Sequence, residues 1–142
     1  MYKRQITSVS SIGYGVYIEN TGDCIIKNNI IRGFRIGIQV FTGGNQIIGN
    51  HIYVGPATSI DVGIQLGNST VGIQKQIVTS NIIDNPSVAG IKAYIIKGVI
   101  INDNIIYWSS ASGTEYGIYI DRTTSGSLTL ITIKNNYIYS TS

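Results

Sequence analysis

Gly90-Ile91-Lys92-Ala93 is one copy of the pattern that decides the fold: glycine, an apolar residue, a variable residue and a second apolar residue. The other copies are Gly15-Val16-Tyr17-Ile18, Gly37-Ile38-Gln39-Val40, Gly63-Ile64-Gln65-Leu66 and Gly117-Ile118-Tyr119-Ile120. Successive glycines are 22, 26, 27 and 27 residues apart. Because self-similarity on this scale is typical of stacked structural units, the spacing predicts a solenoid.

A second pattern follows the first in every copy and is represented by Ile100-Ile101-Asn102-Asp103-Asn104-Ile105. Its other copies span residues 25–30, 47–52, 77–82 and 132–137. Both patterns consist of short apolar alternations or β-branched runs bounded by Gly and Asn, which indicates short strands joined by tight turns. The 30 isoleucines against three leucines also favour strands over helices.

Short strands repeated at this spacing bury their apolar sides when each strand pairs in parallel with its counterpart one coil away. The sequence therefore predicts an all-β fold, a single-stranded parallel β-helix of about five coils. We expect residues 1–12 to form a lead-in and residues 13–142 to form one β-helix domain. No capping helix is predicted at either end, so we expect this domain to be a segment of a larger chain or of an oligomer.

The two patterns together, G-I-x-I and then I-x-x-N-x-I, resemble the right-handed parallel β-helix repeat of pectate lyases, phage tailspikes and related carbohydrate-active proteins. The resemblance runs from about Gly13 to Tyr139. It implies a right-handed coil, an extracellular or virion-associated location, and a polysaccharide or cell-surface glycan as the partner. Because tailspikes are trimers of side-by-side β-helices, it also implies a homotrimer.

The composition argues against several other classes of function. Charged residues make up 12% of the chain, and the ten Lys and Arg residues are spread across the repeats, which does not suit a nucleic-acid-binding face. The longest apolar runs are too short to span a bilayer, so no membrane insertion is expected. The seven acidic residues show no clustering that would hold calcium, and zinc ligands are lacking. We therefore expect neither a metal site nor a cofactor, and an enzymatic activity is less favoured than binding.

Stacking turns equivalent positions of the repeat into columns that run along the axis, about 4.8 Å apart. Alternation along the first strand predicts an inward column, Val16, Ile38, Ile64, Ile91 and Ile118, and an outward column, Tyr17, Gln39, Gln65, Lys92 and Tyr119. The second pattern predicts a turn column, Asn29, His51, Asn81, Asn104 and Asn136, because Asn tolerates left-handed backbone. In this alignment His51 is a structural turn residue.

The coils differ in the length of one connection, and this difference predicts a groove. From the turn position to the next glycine strand there are 8, 12, 9 and 13 residues in successive coils. Segments 55–61 and 108–115 are therefore expected to project from the same side, two coils and roughly 9.6 Å apart, over the shorter segment 85–89.

The predicted groove gives the candidate site residues. Asp61 and Glu115 lie on its walls and Asp84 near its floor, and these are the candidate catalytic residues. Tyr107 and Trp108 begin the second wall and are candidate ligand-binding residues, since a sugar needs an aromatic face beside polar groups. Each carboxylate also has a simpler interpretation as a solvated charge, and Trp108 as a loop-packing residue.

Tyr94 is a further candidate ligand-binding residue. It occupies an outward position in the fourth coil, where the long segments 67–76 and 121–129 are expected to flank it. The same position would also suit an interface between side-by-side copies.

Three functions are consistent with these patterns. The leading hypothesis is a β-helical segment of a phage tailspike-like, fibre-like or other extracellular appendage that binds surface polysaccharide through side loops. The alternative is a polysaccharide-degrading module, a glycoside hydrolase or lyase, or an epimerase. The third is a purely structural trimeric stalk.

Overall fold

A computed structural model describes residues 4–7, 13–53, 60–68, 73–109, 115–121 and 129–141. In these ranges the chain forms β-strands and no helix. Accordingly, the described part contains no helical segment with the length and apolar character that crossing a membrane requires.

The strands, in chain order, have the following bounds. They are β1 (Arg4–Thr7), β2 (Tyr14–Ile18), β3 (Ile25–Lys27), β4 (Asn29–Arg32), β5 (Ile36–Val40), β6 (Gln46–Ile48), β7 (His51–Tyr53) and β8 (Ile60–Leu66). These are followed by β9 (Ile73–Thr79), β10 (Ile82–Asp84), β11 (Pro86–Asn102), β12 (Ile105–Trp108), β13 (Tyr116–Asp121), β14 (Thr129–Lys134) and β15 (Tyr137–Ser140).

All strand pairs are parallel and fall into three sheets, as predicted for a parallel β-helix. Sheet A contains β1, β4, β7, β10, β12 and β15 in that order. Sheet B contains β2, β5, β8, the first part of β11, and β13. Sheet C contains β3, β6, β9, the second part of β11, and β14. Each coil therefore visits sheets B, C and A in turn, and the fold has about five coils.

The register of sheet B confirms both predicted columns of the first pattern. Val16 pairs with Ile38, which pairs with Ile64, and the same column continues through Ile91 to Ile118. The three central members of this column are completely buried. They meet the inward isoleucines of sheets A and C in one continuous core along the axis.

The glycine of the first pattern is required by the space inside the coil. A Cβ atom built on Gly63 would lie 2.6 Å from the carbonyl oxygen of Gly90 and would also collide with the Ile83 side chain of sheet A. The equivalent glycines, Gly15, Gly37, Gly90 and Gly117, face the same type of obstacle, a sheet A isoleucine and, for the first three, the next glycine carbonyl. Packing therefore explains why the pattern begins with glycine.

The asparagine ladder is present, but its second member is Asn50 and the predicted assignment of His51 is wrong. The side-chain Oδ1 of Asn50 accepts hydrogen bonds from Asn29, and the Nδ2 of Asn50 donates to Asn81 at 3.0 Å. The ladder continues from Asn81 through Asn104 to Asn136. His51 instead pairs with Ile30 and Ile82 on the outward side of sheet A.

The left-handed backbone predicted for the asparagines belongs to the residue before each one. Asn28, Gly49, Ser80, Asp103 and Asn135 all have φ between 53° and 64°. The ladder asparagines themselves point inward, and the three central ones are buried. Two adjacent residues therefore have separate roles. The first turns the chain, and the asparagine after it joins the coils, because a side chain that points into the core can reach the main chain of neighbouring coils.

A second left-handed column joins sheets B and C and contains one residue that suits it poorly. The column consists of Asp23, Gly44, Lys75, Gly98 and Leu130. Leu130 has a φ of 58° and is 81% exposed. Left-handed backbone is unfavourable for a residue with a bulky side chain, and glycine adopts it without steric cost.

Replacing Leu130 by glycine is therefore expected to stabilise the protein by about 0.5–1 kcal/mol, the relief of backbone strain less the added chain entropy of glycine. Urea unfolding of the wild type and the variant measures the change. The reverse substitution one coil away, Gly98→Leu, should lower stability. A Leu130→Gly protein that is no more stable than the wild type would contradict this reading of the turn.

The predicted lead-in takes part in the β-helix. Strand β1 lies within residues 1–12 and pairs in parallel with β4, with Arg4 opposite Asn29 and Ile6 opposite Ile31. The coil architecture therefore extends N-terminal to Gly13. Among the described strands, sheet A consequently has one more than sheets B and C.

Candidate functional site

The outward side of sheet A carries the most chemically varied group of side chains in the described structure. One column of paired residues contains Arg32, Tyr53, Asp84, Tyr107 and Tyr139. We call these residues the sheet A column. They are adjacent because each is the last or second-last residue of its strand, and parallel pairing brings equivalent positions together.

A buried carboxylate lies at the centre of the column. Asp84 is 4% exposed, and its Oδ2 lies 2.9 Å from the Nε2 of His51 on the neighbouring coil. Its Oδ1 is also buried and has no hydrogen-bond partner among the described residues. A buried carboxylate with an unused acceptor is costly unless something else supplies a donor.

Tyr107 and Tyr139 extend the column on the other side of Asp84. Their rings stack with centroids 5.5 Å apart and an interplanar angle of 15°. Burial of the phenol, and then the adjacent Asp84 carboxylate, raise the pKa of Tyr107 above its usual range. Asp84 thus lies between an imidazole and a phenol, one on each neighbouring coil.

At the opposite end of the column, a guanidinium covers an aromatic ring. The Cζ of Arg32 lies 4.3 Å from the centre of the Tyr53 ring, within the range of a cation–π contact. The His51 ring lies 5.8 Å from the same tyrosine. A guanidinium, aromatic rings and a carboxylate therefore share one column on this outward face.

Replacing Asp84 by asparagine is expected to lower the pKa of Tyr107 toward its ordinary value, since a negative neighbour no longer opposes the phenolate. Part of the elevation should remain because burial contributes first. The pKa of Tyr107 also affects stability at high pH. Because this pKa is higher in the folded state than in the unfolded state, the contribution of Tyr107 to the free energy of unfolding is complete below about pH 10 and falls as the pH rises further.

NMR titration of tyrosines labelled at Cζ would measure this pKa. The matched control is Asp103→Asn, which removes a carboxylate from an exposed turn. An unchanged Tyr107 titration in the Asp84→Asn protein would refute the coupling.

Asp61 and Glu115 lie on strands of sheet B or beside them, outside the sheet A column. Asp61 is the second residue of β8 and forms an ion pair with Arg35, whose Nε lies 2.7 Å from its Oδ2. Its other oxygen accepts a hydrogen bond from Ser87 at 3.3 Å. Glu115 lies immediately before β13 and is half-buried. Of the three candidate catalytic carboxylates, only Asp84 lies in the sheet A column.

Trp108 is a packing residue of the core in the described structure. It is 7% exposed, belongs to the hydrophobic core, and donates a hydrogen bond from its Nε1 to the carbonyl of Pro86 at 2.6 Å. Tyr94 pairs with Asp121 at the predicted outward position, but it is only 8% exposed. Its ring has the Lys92 ammonium 5.2 Å from its centre. Neither ring offers an open face to a sugar.

The predicted groove walls fall largely outside the described residues. This applies to 54–59 and 110–114, and to the segments 69–72 and 122–128 on the other edge. The expected floor is described: Asn85 makes a left-handed turn and Pro86 begins β11. Tyr53 directly precedes residues 54–59, and Tyr107 stands three residues before 110–114. In the sequence, two residues of the sheet A column therefore closely precede the two segments predicted as walls.

The contact between His51 and Asp84 was missed in the sequence because the turn column was aligned one residue too late in the second coil. A signal was available, since Asn50 matches the ladder and places His51 and Tyr53 at outward positions. No group of three or more His, Cys, Asp or Glu side chains in the described ranges could hold a metal ion.

Comparison with known proteins agrees with this architecture. A family model described as the right handed beta helix region matches residues 14–142, and the chain belongs to this family. Searches of curated proteins and of solved structures gave no match to the chain.

Proposed function

We propose that this β-helix is a segment of a phage tailspike-like, fibre-like or other extracellular appendage, and that it binds surface polysaccharide with the sheet A column and the adjoining loops. The observation that carries the proposal is the row of Tyr53, Tyr107 and Tyr139 on an outward face, beside the partly exposed His51 that the buried Asp84 holds in place. A sugar offers C–H groups for the aromatic rings and hydroxyl groups for the imidazole.

The proposed site keeps Tyr107 from the groove predicted in the sequence, but its other aromatic residues are different. Trp108 and Tyr94 are buried, and Tyr53, Tyr107 and Tyr139 supply the aromatic surface. The side loops keep their proposed role, because they follow the strands that carry Tyr53 and Tyr107 in the sequence.

Binding to a panel of bacterial capsule and lipopolysaccharide glycans tests the proposal. Tyr107→Ala should weaken binding of a recognised glycan by about tenfold or more, since an aromatic contact contributes on the order of 1 kcal/mol beyond its buried area. Tyr17→Ala is the matched control, because Tyr17 is an exposed tyrosine on sheet B. Equal losses for both variants, or no binding by the wild type, would count against the proposal.

A second candidate is a polysaccharide-cleaving module, a hydrolase or lyase, or an epimerase. It is favoured by the 2.9 Å contact between the partly exposed His51 and the buried Asp84, an arrangement that orients an imidazole for proton transfer. Product release from the same glycan panel, abolished by His51→Gln, would support it. Intact glycan after prolonged incubation would leave binding as the function.

A third candidate is a trimeric stalk. It is favoured by Ile82 and Ile105, which are 37% and 38% exposed beside the sheet A column, since adjacent exposed isoleucines suit a protein interface. Light scattering would give the mass in solution. A trimer that loses its assembly on Ile105→Asp, without glycan binding by the wild type, would favour this role.

A further inference from the structure

The outward side of sheet B carries a small cavity over the fourth and fifth coils. The cavity has a volume of about 190 Å³ and is lined by Val88, Ala89, Lys92, Tyr116 and Tyr119. Pairing of β11 with β13 brings these residues together, with Ala89 opposite Tyr116 and Lys92 opposite Tyr119. We call these five residues the sheet B pocket. A further strand beside β13 would extend sheet B in its own plane, so the pocket on the outward side does not depend on where the sheet ends.

The Lys92 ammonium is positioned at this pocket by aromatic rings. Its Nζ lies 5.5 Å from the centre of the Tyr119 ring and 5.2 Å from the centre of the buried Tyr94 ring. Both distances are within the range of a cation–π contact. Neither of the two ion pairs between described residues involves Lys92. Because an ammonium group has three N–H donors, a charge held in this way is suited to receive an anion.

The other walls of the sheet B pocket are aromatic and aliphatic. The Tyr116 and Tyr119 rings have centroids 4.9 Å apart and are tilted by 50°. Tyr116 is 42% exposed, and Val88 is 40% exposed where β11 shifts its register against β8. The pocket is smaller than the roughly 300–1,000 Å³ of drug-sized ligand sites, so it suits a group of about one ring.

An equivalent tyrosine pair in the first coil, Tyr14 and Tyr17, shows what is particular to this pocket. Its rings have centroids 4.8 Å apart and are tilted by 41°, nearly the same arrangement. The neighbour of Tyr17 in sheet B is Gln39 and not a lysine. Arg35 lines the same cavity as Tyr14, but it is ion-paired with Asp61. The sheet B pocket therefore differs from its counterpart in having a cation that no ion pair of the described residues uses.

We propose that the sheet B pocket binds a carboxylate that carries a flat apolar face. The Lys92 ammonium would donate to the carboxylate, and the flat face would lie against the Tyr116 ring beside Val88. An acidic sugar of a polysaccharide and a free aromatic carboxylate both have this chemistry. The pocket and the sheet A column lie on different sheets, so ligand binding at one does not require binding at the other.

NMR titration of the full chain tests the proposal with two carboxylates and their neutral counterparts. The pairs are glucuronate with glucose, and benzoate with benzyl alcohol. At least one carboxylate should shift the amide resonances of residues 88–92 and 116–119. It should bind about tenfold or more tightly than its neutral counterpart, which lacks the charge-assisted hydrogen bond. Tighter binding of glucuronate identifies an acidic sugar as the ligand, and tighter binding of benzoate identifies an aromatic carboxylate.

Substitutions then assign the binding to the pocket. Lys92→Met should weaken it about tenfold or more, and Lys92→Arg should retain most of it because the positive charge is kept. The matched control is Lys27→Met, at an exposed lysine of sheet C. Tyr116→Ala should weaken binding by about fivefold through loss of the ring contact, and Tyr14→Ala should not change it.

Three outcomes would overturn the proposal: no shift of these resonances by either carboxylate, equal binding of the neutral counterparts, or full affinity of the Lys92→Met protein. Shifts confined to the sheet A column would also overturn it, while leaving glycan binding by the column intact. The comparison of each carboxylate with its neutral counterpart uses the unmodified protein, so a variant that fails to fold does not prevent the test.

Discussion

Replacing Asn81 by leucine is expected to lower the free energy of unfolding by about 3–5 kcal/mol, because several buried groups lose their partners together. The Oδ1 of Asn81 accepts from both the main-chain N–H and the Nδ2 of Asn50, each at 3.0 Å. Its Nδ2 donates to the carbonyls of Ile47 and Thr79 and to the Oδ1 of Asn104. Leucine has a similar volume but cannot make any of these hydrogen bonds.

Urea unfolding at neutral pH measures the loss. The matched control is Asn135→Gly, which removes an exposed asparagine from a left-handed turn position and should change stability by less than about 0.5 kcal/mol. If Asn81→Leu were as mild as this control, the ladder would not be a principal source of stability.

Gly63→Ala is the second substitution with a large expected effect, a loss of about 3 kcal/mol from overpacking. The added methyl group would lie 2.6 Å from the carbonyl oxygen of Gly90 and 3.1 Å from the Cδ1 of Ile83. Relief would require neighbouring coils to separate, since one of the obstacles is main chain. The φ of Gly63 is not positive, so lack of space alone causes the effect.

Gly98→Ala separates the packing cost from the conformational cost of replacing glycine. Gly98 has a φ of 72°, but its added Cβ would approach Lys75 no closer than 3.3 Å. We therefore expect a loss of about 1 kcal/mol there, from backbone strain. Thermal unfolding of both variants would test the order, and a Gly63→Ala protein more stable than Gly98→Ala would refute the packing explanation.

The fold could be predicted from the sequence because equivalent positions of a repeated pattern pair with one another, so the repeat itself gives the strand register. Gln39, Gln65 and Lys92 occupy equivalent positions of the glycine pattern, and they lie side by side in sheet B. The sequence shows that each copy of the pattern begins with glycine, but the need for glycine there depends on its contact with Ile83 and the equivalent isoleucines. Those residues are distant in sequence and meet the glycine only across the interior.

The candidate site was predicted less completely, and the reasons are local. Asp84 and Tyr107 were identified as neighbours of one site, and pairing of β10 with β12 places them in one column. Trp108 allowed two interpretations in the sequence, a ligand platform or a packing residue, and alternation from the buried Ile106 directs it inward. The partner of Asp84 was missed because two adjacent polar residues, Asn50 and His51, allowed two alignments of the turn.

The placement of β1 and β15 at opposite edges of sheet A has a mechanical consequence. Strands lie across the axis of the β-helix, so force applied to the two termini along that axis would load one edge strand at a time. Coils would then peel off in succession at low force, because their hydrogen bonds break one after another and do not share the load. Force applied across the axis would shear many of those bonds together, so the domain should resist sideways loading far better than stretching by its ends.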